Sequence, residues 1–215
     1  MSRFILCFLS ASVLWSQSVT IGVKGGGRVT DDLTYYYLTA SESKRYVAGP
    51  TVEVGLPHQF SLEFDALYRR HGYRTENDDA GLTITFTRER ANSWEFPLLV
   101  KRHWTLPRQR FFVGAGLSFQ RISGNQDILV TDTNANTGQK SFFRYQFPTN
   151  WDVSPGFATS AGFRIGKGRI QFSPEFRYTR WIPPVAIEVD GGHGYHFEST
   201  RNQIDLILGL GWKVR

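Results

Sequence analysis

Sulfur is almost absent from these 215 residues, with one cysteine and one methionine. A lone cysteine excludes a disulfide framework and a cysteine-based zinc site. Both sulfur residues, Met1 and Cys7, sit at the very start of the sequence, so everything after Cys7 is sulfur-free. Long hydrophobic runs are missing too. Beyond residue 17 no stretch approaches 18 consecutive apolar residues, which excludes a helical membrane span. A mean hydropathy of −0.31 likewise excludes a bundle of such helices. No apolar stripe of period 3.6 recurs, so amphipathic helices are not expected. What is plentiful is aromatic and small: 17 Phe, 9 Tyr, 6 Trp and 21 Gly. With 20% charged residues this composition excludes a disordered chain, and the length suits one domain.

The first residues read as a targeting segment. Arg3 supplies a positive start, and the apolar run over 4–14 matches the ~7–15 residues of a secretory signal. Small and polar residues follow at Ser16, Gln17 and Ser18, so cleavage is expected near Gln17-Ser18. A short buried helix is the alternative; the abrupt change to strand-like sequence favours the signal. Cys7 lies inside the apolar run rather than after it, against a lipoprotein signal. The expected organisation is a signal peptide over 1–17 and one domain over 18–215.

From residue 19 onward the recurring pattern is period-two alternation, the mark of strands with two unlike faces. Eight segments show it: 19–24, 51–56, 61–69, 94–101, 111–120, 157–165, 170–178 and 204–212. Short links (57–60, about 105–110, 166–168) alternate with long ones (25–50, 70–93, 121–156, 179–203). That alternation predicts an all-β fold, an eight-stranded antiparallel up-and-down transmembrane β-barrel with tight periplasmic turns and long extracellular loops. Alternating stretches at 82–87, 143–147 and 185–189 predict strands that extend beyond the outer face, with tips at 77–81 and 134–138. A ten-stranded barrel and a soluble barrel with an apolar interior are the structural alternatives.

The two faces separate by parity. One carries Leu62, Phe64, Ala66 and Tyr68, then Trp94 to Val100 at even positions, then Phe111 to Phe119 at odd positions, and ends with Ile204, Leu206, Leu208, Leu210 and Trp212. The other carries Lys24, Glu53, Glu63, Asp65, Arg69, Glu95, Lys101, Arg164, Glu175, Arg177 and Asp205, padded with Gly and Ser. Small residues on the charged face suit a crowded narrow lumen. Tyr68, Trp94, Trp104, Tyr178, Trp181 and Trp212, near segment ends, suit interfacial girdles. The apolar face is therefore assigned to lipid, and the eleven charged residues to a structural ion-pair network that plugs the lumen. An ion- or proton-conducting path is the sharper alternative. Arg108, Arg110, Lys167, Arg169, Lys213 and Arg215 form a basic periplasmic rim suited to anionic headgroups.

At this level the chain resembles the eight-stranded outer-membrane barrels of the OmpX/OmpA type, and more closely the PorT-like outer membrane protein beta-barrel family. The resemblance rests on Trp94-Glu95-Phe96-Pro97-Leu98-Leu99-Val100-Lys101, Phe112-Val113-Gly114-Ala115-Gly116, Pro174-Glu175-Phe176-Arg177-Tyr178-Thr179-Arg180-Trp181 and Leu208-Gly209-Leu210-Gly211-Trp212. It covers essentially all of 18–215. Many such barrels end on an aromatic residue, whereas Lys213-Val214-Arg215 follow Trp212 here. The resemblance implies no enzymatic site.

Other chemistry is weak. No helix follows Gly25-Gly26-Gly27, so it reads as a flexible exit from the first strand rather than a phosphate cradle. Asp190, His193, His196 and Glu198 could hold a metal, but hairpin-tip chemistry explains the glycines around them equally well. His103 could act as a base near the periplasmic rim, with no evident nucleophile. The expectation is an integral outer-membrane barrel of structural or interaction type, not an enzyme, with no metal, cofactor or nucleic-acid partner. Outer-membrane lipids and the barrel-assembly machinery are its expected partners, with the extracellular partner unidentified. The functional alternatives are a small transport or lipid-modifying barrel, or a soluble periplasmic barrel binding an apolar ligand.

Overall fold

The computed structural model describes residues 18–214 except 31–32, 35–38, 80–82, 106–108, 135–136, 151–152, 167, 183–185, 189–195 and 200. The expected signal peptide, Arg108, Lys167, Arg215, parts of two hairpin tips, and Asp190 and His193 fall outside these residues. Among the described residues fourteen strands are formed: β1 (Val19–Arg28), β2 (Leu33–Thr34), β3 (Thr39–Ser41), β4 (Tyr46–Leu56), β5 (Phe60–Asp65), β6 (Leu67–Asp79), β7 (Thr83–Thr105), β8 (Arg110–Thr133), β9 (Lys140–Asn150), β10 (Ser154–Arg164), β11 (Ile170–Trp181), β12 (Ala186–Glu188), β13 (His196–Ser199) and β14 (Asn202–Lys213).

All pairings are antiparallel, and they close a ring. From β1 the order is β4, β5 with β6, β7, β8, β10, β11 and β14, which returns to β1. The first and last strands form the seam, with Ile21 opposite Trp212 and Arg28 opposite Asp205. The fold is thus a closed antiparallel β-barrel. The eight single strands expected from the sequence are not what is found, because the sheet contains eleven. Two of the additions, β3 and β9, pair onto the outer parts of β6 and β8. The third comes from a break at Ala66 between β5 and β6. Its cause is proline chemistry. Ala66 N–H donates to the Pro50 carbonyl at 3.0 Å, but Pro50 has no N–H to return. On the other side Pro97 stands level with the break and also lacks a donor. Alignment is unchanged across the gap, with Thr51 opposite Asp65 and Ala48 opposite Tyr68.

The strands are longer than the expected segments. At ~3.3 Å per residue, the 23 residues of β7 run about 75 Å, whereas 9–11 residues suffice to cross a membrane. The excess of β6, β7 and β8, flanked by β3 and β9, rises past one end of the ring as a projecting sheet. The glycines at 25–27 are not a flexible exit. They lie inside β1, paired on both sides. A Cβ at Gly26 would collide with the Leu206 carbonyl, so the bare backbone lets β1 and β14 close the seam. On the short-link side, Gly166 and Gly168 take φ of 150° and 78° to turn the chain between β10 and β11.

Candidate functional site: the barrel lumen and its belt

Parity along each strand decides which side chains enter the barrel. The side chains of Phe64 and Leu206 face outward, 46% and 55% exposed, while their neighbours Asp65 and Asp205 are buried inside. The outward belt continues through Ile21, Leu62, Leu98, Val113, Phe157 and Leu210. In water so large an apolar surface would drive aggregation. A barrel with apolar side chains outside and charge inside is the arrangement that a bilayer requires. The soluble barrel with an apolar interior is overturned by these exposures.

All eleven charged residues expected in the lumen point into it, in three groups stacked along the axis. At the centre Lys24, Lys101 and Arg177 meet Glu63, Asp65 and Glu175. Lys24 Nζ lies 2.5 Å from Glu63, 3.0 Å from Asp65 and 2.9 Å from Glu175. Lys101 Nζ reaches Glu63 at 2.7 Å and Glu175 at 3.0 Å. Arg177 Nη2 reaches Asp65 at 2.7 Å and Glu175 at 2.6 Å. Toward the projecting sheet, Arg69 lies 3.4 Å from Glu95 and Arg28 lies 3.7 Å from Asp205. Gln203 ties that group together, donating to Glu95 at 3.0 Å and to Asp205 at 2.5 Å. At the short-turn end Arg164 pairs with Glu53. Arg28 is the charged residue missed by sequence reading. With it, the six cations named here match six carboxylates, so each group is neutral by itself.

Space for these side chains is made by small neighbours. A Cβ on Gly114 would lie 2.8 Å from both Lys101 Cγ and Ser160 Oγ. A Cβ on Gly156 would lie 2.7 Å from the Trp181 ring. Trp181 is not in a girdle as expected; it is 5% exposed, and its Nε1–H donates to Gln203 at 2.9 Å. The lumen is also less uniformly polar than expected. Val47, Leu67 and Ile207 pack together inside it. The inward Phe112 ring lies beneath the Lys101 ammonium, 4.2 Å from its centroid. A cavity of about 20 Å³ remains beside Lys24, Glu53, Glu63 and Arg164, room for roughly one water.

The girdle forms at the other residues expected for it. Tyr68 and Trp94 are in ring contact at 5.2 Å, and the hydroxyls of Tyr68 and Tyr178 donate to Asn92 and Asn202 at 2.8 and 2.7 Å. At the opposite end Trp104 meets Phe111 at 5.9 Å, under the Arg102 guanidinium. The exposed Arg110 and Arg169 share that rim with Lys213.

His103 does have a hydroxyl beside it, contrary to the sequence reading. Ser61 Oγ is 2.8 Å from His103 Nε2, and Glu53 Oε1 is 3.3 Å from the same nitrogen. A relay for nucleophilic attack needs the serine and the acid on opposite ring nitrogens. Here both fall on Nε2, while Nδ1 has no partner among the described residues. Of the loop residues considered for metal, only His196 and Glu198 are described, as positions on β13.

Comparison by sequence finds no matching family, and no curated protein matches either. Comparison by structure finds outer-membrane barrels. A major outer membrane protein from Thermus thermophilus aligns with a TM-score of 0.54 and 9% identity, over 92% of this chain and 99% of its own. The outer membrane protein OprG from Pseudomonas aeruginosa aligns at 0.53 and 12% identity, over 93% and 95%. The fold is thus that of bacterial outer-membrane β-barrels. Together with the lipid-facing belt, it gives this chain an outer-membrane location.

Proposed function

We propose that this protein is an integral outer-membrane barrel of structural and interaction type, with a lumen closed by its own ion pairs and a sheet displayed to the cell exterior. The observation that carries this reading is the charge balance of a filled lumen: an eight-strand circumference leaves room only for side chains. Counting β5 and β6 as one stave interrupted by proline gives that circumference. Within outer-membrane barrels the narrower placement is PorT-like, supported by the motifs around Trp94, Gly114, Glu175 and Gly209. Delivery by a signal over 1–17 and insertion by the barrel-assembly machinery complete the reading. The shared-nitrogen geometry at His103 supports a non-enzymatic role over a lipid-modifying one.

The test is topological. Removal of the signal leaves no cysteine, so single-cysteine variants have a clean background. An impermeant thiol reagent on intact cells should label Asn134→Cys and spare Lys167→Cys until the envelope is opened. The reverse pattern would mean inverted insertion.

A further inference from the structure

The outward surface just above the Tyr68–Trp94 girdle is a band of arginine. Directly across the ladder from Trp94, on the same face, stands Arg121. One step up, Arg70 is opposite Asn92, and one step further Arg90 is opposite Gly72. Next, Arg74 and Arg88 are opposite each other. All five are exposed. Each step of two residues advances ~7 Å along strands tilted by ~45°, so Arg90 stands only ~10 Å above Arg121, within reach of a headgroup layer. The three lowest rows on β6, β7 and β8 contain no acid: Tyr68, Trp94, Arg121; Arg70, Asn92, Ser123; Gly72, Arg90, Asn125. The first carboxylates stand beside and above the third row: Glu42, whose N–H donates to the Gly72 carbonyl, reaches Arg88 at 2.7 Å, and Asp127 meets Arg144 at 3.3 Å. There Arg74, Arg88, Arg90 and Arg144 rim a shallow groove of about 510 Å³ with Phe86 and Leu129 in its wall. The pattern repeats on β11, where the exposed Arg180 follows Tyr178 on the outward face.

We propose that this band binds the phosphate groups of anionic lipid in the leaflet beside it. A guanidinium presents paired donors that match phosphate oxygens, which a headgroup layer supplies at a fixed height. The position favours a lipid over a soluble anion. The acid-free rows sit directly on the girdle, where a headgroup is already next to the wall. A bound headgroup could extend its polar part into the groove, against Phe86. The inference rests on the reading of the apolar belt as lipid-facing.

The experiment uses the whole barrel, folded in zwitterionic phosphocholine micelles and titrated calorimetrically with a phosphorylated lipopolysaccharide and with its dephosphorylated form. Micelles have no sidedness, so insertion direction does not enter. The phosphorylated lipid should bind and the dephosphorylated one should not. The triple variant Arg70→Gln, Arg90→Gln, Arg121→Gln should lose about a hundredfold in affinity, at roughly a factor of five per basic residue. A control with the same change of charge at the far tip of the projecting sheet, Gln139→Glu with Lys140→Glu, both exposed, should keep its affinity. Both variants should keep the heat-modifiable gel mobility of a folded barrel. Equal loss in the two variants would reduce the effect to net charge and overturn the proposal. So would retained affinity in the triple variant, or displacement of the lipid by dextran sulfate at comparable concentration. A thiol-labelling pattern of a buried periplasmic protein would instead overturn the membrane reading itself.

Discussion

Arg177 is completely buried, yet its guanidinium stands among Glu63, Asp65 and Glu175. Three carboxylates held in so small a volume depend on three cations, and removing one leaves an uncompensated buried charge. Arg177→Met is expected to cost about 3–5 kcal/mol of unfolding free energy, measured by reversible denaturation in lipid vesicles. Adding Asp65→Asn to that variant should recover part of the loss, because it restores neutrality. On the outer wall the expectation reverses. Phe64→Arg should cost about 2–4 kcal/mol near the bilayer midplane in the same assay, and no loss would mean that Phe64 does not meet lipid. Parity alone made most of this legible. The residues it missed lie one or two steps along the same parity: Arg28 beyond Lys24 and Gly26, and Gln203 before Asp205. A glycine run hid the first, and neutral chemistry hid the second.

The elements were legible as alternation but not as lengths. Period-two segments marked where strands cross, since there the two faces meet lipid and lumen. Above the membrane the contrast between the faces fades: alternation at 82–87 and 143–147 still marked the extensions now seen in β7 and β9, whereas β8 continues past residue 120 unseen. The break at Ala66 escaped for another reason. It is caused by prolines on neighbouring strands, and only the register brings them level with it. In the projecting sheet β9 is fastened to β8 partly by Asp127, which accepts from Gln146 at 2.6 Å and from Arg144 at 3.3 Å. The Gln146 hydrogen bond, followed by that of Arg144, holds the Asp127 carboxyl below its usual value. A lowered value in the folded state means that this fastening is complete above the ordinary carboxylate pKa of ~3.9 and is lost as pH falls through the lowered one. The protection of amides over 140–147, relative to free-peptide exchange at the same pH, should therefore fall in acid, and Asp127→Asn should flatten that dependence.

For the molecule as a whole, closure and polarity were legible because short and long links alternate, while the plug's completeness needed the three-dimensional register. Each of the three lumenal groups is neutral, so none is poised to attract or pass a counter-ion. A pure monomer in a planar bilayer should show no steady open-channel current. Arg164→Ala, which loosens the short-turn end, should still be closed by the central group. Large sustained currents from the unmodified chain would contradict the plugged lumen.

The seam gives the lumen a history as well as a structure. Lys24 and Arg28 arrive on the first strand, whereas Glu175, Arg177 and Asp205 arrive on the last two of the ring. Until β1 and β14 meet, Asp205 has no Arg28 and Glu175 lacks Lys24. Full pairing is therefore reached only in the final act of assembly. An unclosed sheet would carry unpaired charge on the face that is to be shut away. The same ion pairs that fill the finished barrel thus penalise every partly zipped form of it, and make its last pairing the most decisive.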